Sequence, residues 1–154
     1  MTIEVGKAAL NFTLKSDEGN SISLSDLKGR NVVLYFYPKD DTPGCTIEAQ
    51  DFTSKNNEFE KLDCVVLGIS RDSIKSHCKF VEKYAINFNL LSDENGEVCE
   101  KYDVLKEKSM FGKKYFGIDR STFLINKLGK IEKIWRSVSV KGHVDEVMAA
   151  LKKI

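Results

Sequence analysis

Proline is nearly absent from this chain of 154 residues, and its two copies, Pro38 and Pro43, bracket a single polar loop. Cysteine is sparse as well. Cys45, Cys64, Cys78 and Cys99 are widely spaced, and the lack of any C-x-x-C pair argues against both a zinc ribbon and a thioredoxin-type dithiol. In a reducing compartment the four begin as free thiols. Charge of one sign is missing too: 24 basic side chains face 23 acidic ones, so neither a nucleic acid nor a membrane surface is suggested as partner. The basic runs Lys106-Glu107-Lys108 and Lys113-Lys114 have acidic neighbours and no aromatic interleaving that suggests base stacking, which reads as a solvated face. No apolar run approaches the ~18 residues of a membrane span, and Met1 to Lys7 lacks both the basic and the apolar region of a signal peptide, so the chain is expected in the cytoplasm. The glycines form neither G-x-G-x-x-G nor a P-loop, and no nucleotide site is expected.

Without a repeat, a low-complexity run or a linker, residues 1–154 are expected to form a single domain. A globule of this size buries roughly 70% of the surface its unfolded chain exposes, so a full core needs no staples or metals. Asn11–Leu14 and Asn20–Leu24 alternate in polarity around a cluster of turn formers and predict an N-terminal β-hairpin, followed by a short helical turn over Ser25–Gly29. Val32–Tyr37 is apolar, β-branched or aromatic throughout, as a strand covered on both faces is, and Cys64–Ile69 repeats the signal. Helices are predicted from Pro43 to about Phe59, from Ser73 to Tyr84, from Glu94 to Tyr102 and from His143 to Lys152, with a short strand at Asn89–Leu91. Lys106–Gly117 reads as a charged connecting segment, and Ser121–Ile125 with Ile131–Trp135 as a late hairpin around Leu128-Gly129. Strands alternating with helices imply an α/β fold, a mixed central sheet with helices on both faces.

One cysteine stands out by position. Pro43 suits the first position of a helix, Thr42 before it is a good N-cap, and Cys45 then falls in the first turn. The unpaired N–H groups and the positive end of the helix dipole favour an anion there, so a thiol with an ordinary pKa of about 8.5 is expected to shift toward the thiolate, its nucleophilic form.

Pro38-x-x-x-Thr42-x-x-Cys45 at the end of a buried strand, with Arg120-Ser121-Thr122-Phe123 at the start of a later one, resembles the peroxiredoxin family. Within it, Lys39-Asp40-Asp41-Thr42-Pro43-Gly44-Cys45-Thr46-x-Glu48 is most similar to the bacterioferritin comigratory protein branch, also called PrxQ. The resemblance implies a thioredoxin-like fold and a thiol-dependent peroxidase acting on hydrogen peroxide or organic hydroperoxides. Its electrons would come from thioredoxin or a similar thiol carrier, without metal, haem or flavin, and members of the branch are often monomers. In this reading the Cys45 thiolate attacks the peroxide and becomes a sulfenic acid. Thr42 offers a hydroxyl to the thiolate or the peroxide, Arg120 a permanent positive charge, and Pro38 packs over the pocket. Glu48, one turn past Cys45, holds Arg120 through a charge-assisted pair. Taken singly, each has a plainer reading: a strand end, a helix cap, a surface cation, a glutamate favoured by the helix dipole.

The chain departs from that pattern in its second cysteine. Many members of the branch carry a resolving cysteine five residues after the peroxidatic one, where this chain has Gln50, and others carry it on the next long helix, where the match of Ser76-His77-x-x-Phe80 gives Val81. Cys78, nearly one turn before Val81, reads either as the resolving thiol or as a small core residue, while Cys64 and Cys99 read as packing. A disulfide needs Cα atoms within about 7 Å, so Cys45–Cys78 pairing calls for local unwinding. His77 and His143 read as solvent-facing or capping residues, and Trp135 as sheet packing. Two rival readings place the same residues in a thiol–disulfide oxidoreductase or in a non-catalytic thioredoxin-like module that binds partners or holds unfolded chains.

Overall fold

The computed structural model describes residues 2–154. In chain order the elements are β1 (Thr13–Ser16), β2 (Ser21–Ser23), β3 (Asn31–Phe36), α1 (Pro43–Lys61), β4 (Cys64–Ser70), α2 (Ile74–Tyr84) and β5 (Asn89–Ser92). There follow α3 (Glu97–Lys101), β6 (Leu105–Met110), β7 (Lys113–Ile118), β8 (Ser121–Ile125), β9 (Ile131–Trp135) and α4 (His143–Leu151).

Every residue of β3 is buried. Side chains alternate across a strand, so Val33 and Tyr35, with Tyr37 just beyond, enter one core, while Val32, Leu34 and Phe36 enter another. The first core is covered by α1, α2 and α4 through Phe52, Phe59, Phe80, Val147 and Leu151. The second is covered by α3 and the N-terminal segment through Phe12, Leu24, Cys99 and Tyr102. The seven-stranded sheet between them has the order β2-β1-β5-β4-β3-β8-β9. Its centre, β3–β4–β5, is parallel, and β1, β8 and β9 add to it antiparallel. This is the thioredoxin-like arrangement, with helices on both faces and the N-terminal hairpin joined to one edge.

Gly68 of β4 allows one close approach. A Cβ there would stand 2.9 Å from the Tyr35 ring, so the missing side chain lets that ring lie flat and stack on Phe52 with centroids 4.6 Å apart. The phenol sits behind the start of α1.

Two segments differ from expectation. Lys106–Gly117 is no irregular connection: β6 and β7 form a separate antiparallel ribbon turning at Phe111 and Gly112, both with positive φ. Charged residues lie on both of its faces, so it lacks the apolar stripe by which a strand is recognised in sequence. α3 starts three residues later than predicted. The Asp93 carboxylate caps the Val98 and Cys99 amides at 3.2 and 2.8 Å, and Gly96 turns the chain in with φ +75°.

The topology also brings distant residues to one edge. β3 ends where α1 begins, and β8 starts beside that end, with Ser121 opposite Phe36. Arg120, the residue before β8, therefore arrives next to Cys45.

Candidate active site

Pro43 opens α1 and Cys45 is its third residue, with only 2% of its surface exposed. Thr42 occupies the N-cap position in extended conformation, but its hydroxyl does not cap the helix. It donates instead to the Lys39 carbonyl at 2.8 Å, closing the loop on itself and leaving the hydroxyl oxygen free to accept. Pro38 is half-buried, two residues past the end of β3.

Arg120 joins the remaining expected residues. Its Nη2 donates to Cys45 Sγ at 3.5 Å and its Nη1 to Glu48 Oε1 at 2.7 Å, so one guanidinium spans both side chains. Glu48 is fully buried, and its Oε2 has no partner. Burial pushes its carboxyl up to about 7 against the opposing pull of Arg120. Burial by itself would lower the Arg120 pKa, but the charges of Glu48 and Cys45 outweigh it and raise the value. Gly44, which the sequence reading passed over, makes room for this. A Cβ at Gly44 would stand 3.2 Å from Arg120 Nη2.

A second set of polar groups holds the loop itself. Asp40, 7% exposed, accepts from the Tyr37 hydroxyl on Oδ1 at 2.5 Å and from the Ser76 hydroxyl on Oδ2 at 2.7 Å. His77 Nδ1 lies 2.7 Å from the same Oδ2. Burial and the Asp40 charge raise the Tyr37 phenol well above its ordinary value, so it remains a donor. Asp41, with φ +54°, is bound by Lys83 Nζ at 2.8 Å and the Tyr84 hydroxyl at 2.7 Å. Among the described residues, Asp40, Asp72 and His77 are the cluster whose ligand-type atoms lie close enough to share a cation, within 4.8 Å of one another. All three side chains are already engaged in hydrogen bonds.

Both histidines correct the sequence reading. His77 is fully buried, because Asp40 and the Leu91 carbonyl supply partners from far along the chain. His143 is 3% exposed, bonded to the Thr122 hydroxyl at 2.8 Å, and pushed down to about 4 chiefly by burial. Trp135 packs edge-on against it.

The cysteines sort by surroundings. Cys64 and Cys99 are fully buried packing residues, and burial raises both thiols, Cys64 to about 12. Cys78 is exposed, which removes the core-filler reading. Ser73, Ser76, Lys79 and Phe80 line a groove with Asp40 and Asp41 on the side of α2 that faces the loop. Cys78, two positions from both Ser76 and Phe80, projects from the other side of the helix.

Residues 5–134 match the AhpC/TSA family. The chain is 52% identical over 152 residues to the peroxiredoxin Bcp of Bacillus subtilis, a match covering 99% of this chain and 97% of the relative. Its fold is similar to that of a cysteine-to-serine mutant of Xylella fastidiosa PrxQ, with a TM-score of 0.94 at 41% identity over 99% of this chain and 98% of the other. It is also similar to a Xanthomonas campestris bacterioferritin comigratory protein described for its alkyl peroxide reduction activity, with a TM-score of 0.91 at 44% identity, covering 98% and 96%.

Proposed function

Because the chain belongs to the AhpC/TSA family, within it to the PrxQ or bacterioferritin comigratory protein branch of the peroxiredoxins, we propose that its thiol peroxidase activity is carried by Cys45. The observation that supports this best is the Arg120 guanidinium spanning Cys45 Sγ and the buried Glu48 at the start of α1. The fixed charge of Arg120 and the N-terminus of α1 both present positive potential to this sulfur. Sulfur attacks the terminal oxygen of a hydroperoxide; the S–O bond forms, the O–O bond breaks, and the departing alkoxide or hydroxide takes a proton from solvent. In this reading Arg120 meets the charge as it moves across the breaking bond, while the Thr42 oxygen, its own proton given to the Lys39 carbonyl, accepts from the hydroperoxide O–H. Glu48 holds the guanidinium in place, and Pro38 narrows the access of water. Hydrogen peroxide and alkyl hydroperoxides are the substrates of this reading, the latter supported by the resemblance to the Xanthomonas protein.

The Cys45 sulfenic acid is then reduced by thioredoxin or a similar thiol: one thiol displaces water to give a mixed disulfide, and a second releases Cys45. The exposed Cys78 supports a second reading, in which it forms the disulfide internally. That route requires the start of α1 and α2 to unwind locally so that the two sulfurs meet, since Cys45 is buried and Cys78 points to solvent. Arg120 and Glu48 reach the Cys45 site from within the same chain, and a monomer is the assembly of this reading. No helix among the described residues is long and apolar enough to cross a membrane, and we assign the enzyme to the cytoplasm, where reducing thiols are at hand.

The reading is tested by giving the fully reduced protein one equivalent of hydrogen peroxide, trapping sulfenic acid and mapping the products by non-reducing peptide mass spectrometry. A trapped Cys45 adduct supports the external cycle, and a Cys45–Cys78 disulfide the internal one. Persistence of the peroxide with Cys45 unmodified sinks the assignment.

A further inference from the structure

We propose that His77 is a positioning residue for the peroxide step: by holding Asp40 it clamps the loop that carries Pro38 and Thr42 to α2, and so keeps Cys45 seated beneath Arg120. The proposal rests on Cys45 being the nucleophile. A buried imidazole is costly unless both nitrogens find partners, and here both do. The Leu91 carbonyl can only accept, so Nε2 donates to it at 2.9 Å. One proton lies between Nδ1 and Asp40 Oδ2 at 2.7 Å, and whichever group carries it the contact is a hydrogen bond.

Asp40 thereby gathers three elements. Tyr37 reaches its carboxylate from the end of β3, and Ser76 and His77 from the first turn of α2. Its backbone N–H donates to Asp72 Oδ2 at 2.9 Å, which also accepts from the Ser70 hydroxyl at the end of β4. The next residue, Asp41, is gripped from the opposite end of the same helix by Lys83 and Tyr84. Arg120 and Glu48, the groups placed around Cys45, take no part in these bonds. The clamp therefore acts on placement and not on the reacting atoms.

The catalytic cycle sets two opposed demands. Cys45 must be seated for attack, yet its sulfur, buried in the seated state, must become accessible before an outside thiol can reduce it. The longer the oxidised sulfur stays seated, the more often a second hydroperoxide reaches it. That peroxide transfers one oxygen to the sulfenic acid, giving a sulfinic acid and a further molecule of alcohol or water. The clamp sets this partition.

The test compares wild type with His77→Phe, which keeps a buried ring and removes both nitrogens, and with Ser76→Ala, which removes one bond to the same Asp40 oxygen from a half-buried position. Three quantities are read: the rate of Cys45 sulfenic acid formation, the sulfinic acid produced per turnover by intact mass, and amide exchange along the chain. In His77→Phe the first step is expected to slow about tenfold, and the sulfinic yield to fall several-fold. Exchange should rise in residues 39–46 and 74–80 while β8 and β9 stay protected. Ser76→Ala should shift all three the same way by less, and it carries the test if His77→Phe fails to fold. Unchanged rates and exchange in a folded variant overturn the proposal, as does a uniform rise in exchange with the rates intact, which marks a merely structural residue. If wild type itself consumes no peroxide at Cys45, the parent reading fails instead, and the exchange arm still decides whether the clamp exists.

Discussion

Cys45 and Cys99 form a natural controlled pair. Each is the third residue of a helix, Cys45 in α1 after Pro43-Gly44 and Cys99 in α3 after Glu97-Val98, and each is almost fully buried. Helix position and burial are thus matched, and the difference lies in what faces the sulfur. At Cys45 it is the Arg120 guanidinium, 3.5 Å away. At Cys99 it is the Asp93 carboxylate, which also occupies the first amides of α3 and, after burial, is the next cause raising the thiol. On the proposed assignment, a cysteine at a helix start serves as nucleophile where the adjoining charge is positive and the amides are not already taken by a carboxylate. Position alone is insufficient.

The largest test of this contrast is substitution of each sulfur. Cys45→Ser is expected to reduce peroxide consumption by more than about a thousandfold, whereas Cys99→Ser leaves the first-step rate unchanged, as stopped-flow peroxide assays would show. Next comes removal of the charge. Arg120→Ala should cost roughly a hundredfold to a thousandfold in the same rate, and Arg120→Lys should recover little, because an ammonium cannot span Cys45 and Glu48 as the planar fork does. Gly44→Ala is a finer probe. Its methyl would press the guanidinium from 3.2 Å, with an expected loss of about tenfold and little change in melting temperature.

The smallest effect concerns pH. Glu48 titrates at about 7 in the fold against an ordinary 4.5. Between those values the folded chain keeps a proton that the unfolded chain has released, so this group lowers stability as the pH rises through that interval. His143, at about 4 against an ordinary 6.5, acts in the opposite sense: the unfolded chain holds the extra proton, and stability rises between about 4 and 6.5. Denaturation midpoints of wild type should therefore vary little over this range. Glu48→Gln should expose the rise alone, and His143→Gln the fall alone. Activity runs against stability at Glu48, since the ionised carboxylate that holds Arg120 is the form that costs the fold. The rate of wild type should climb through pH 7 with a limb that Glu48→Gln lacks.

Much of this was legible in the chain because it is written locally. The run Val32–Tyr37 declares a doubly covered strand, and Thr42-Pro43 declares a helix start. Ser73, where a helix was expected to begin, caps α2, its side chain accepting from the Ser76 amide. What escaped depends on partners far along the chain. His77 looks like a surface residue until Asp40, 37 positions earlier, is folded beside it, and the same holds for His143 and Thr122. Thr42 turned its hydroxyl back to Lys39, a local alternative to capping that sequence does not distinguish. The β6–β7 ribbon escaped for want of a buried face, with Phe111 98% exposed at its tip. At the site, residue types and order were readable, but the space left by Gly44 was not, because a close approach is a property of two segments at once.

On the proposed assignment of Cys45, the arrival of Arg120 from 75 residues further along, through the pairing of β3 with β8, ties reactivity to the docking of the later strands. A chain still being synthesised, or one whose last strands have not docked, has the sulfur without its cation. Such a chain competes poorly for peroxide and is spared oxidation before it has the means to be useful. On that assignment, peroxide sensitivity at this cysteine is a chemical signal that the far half of the sheet has closed.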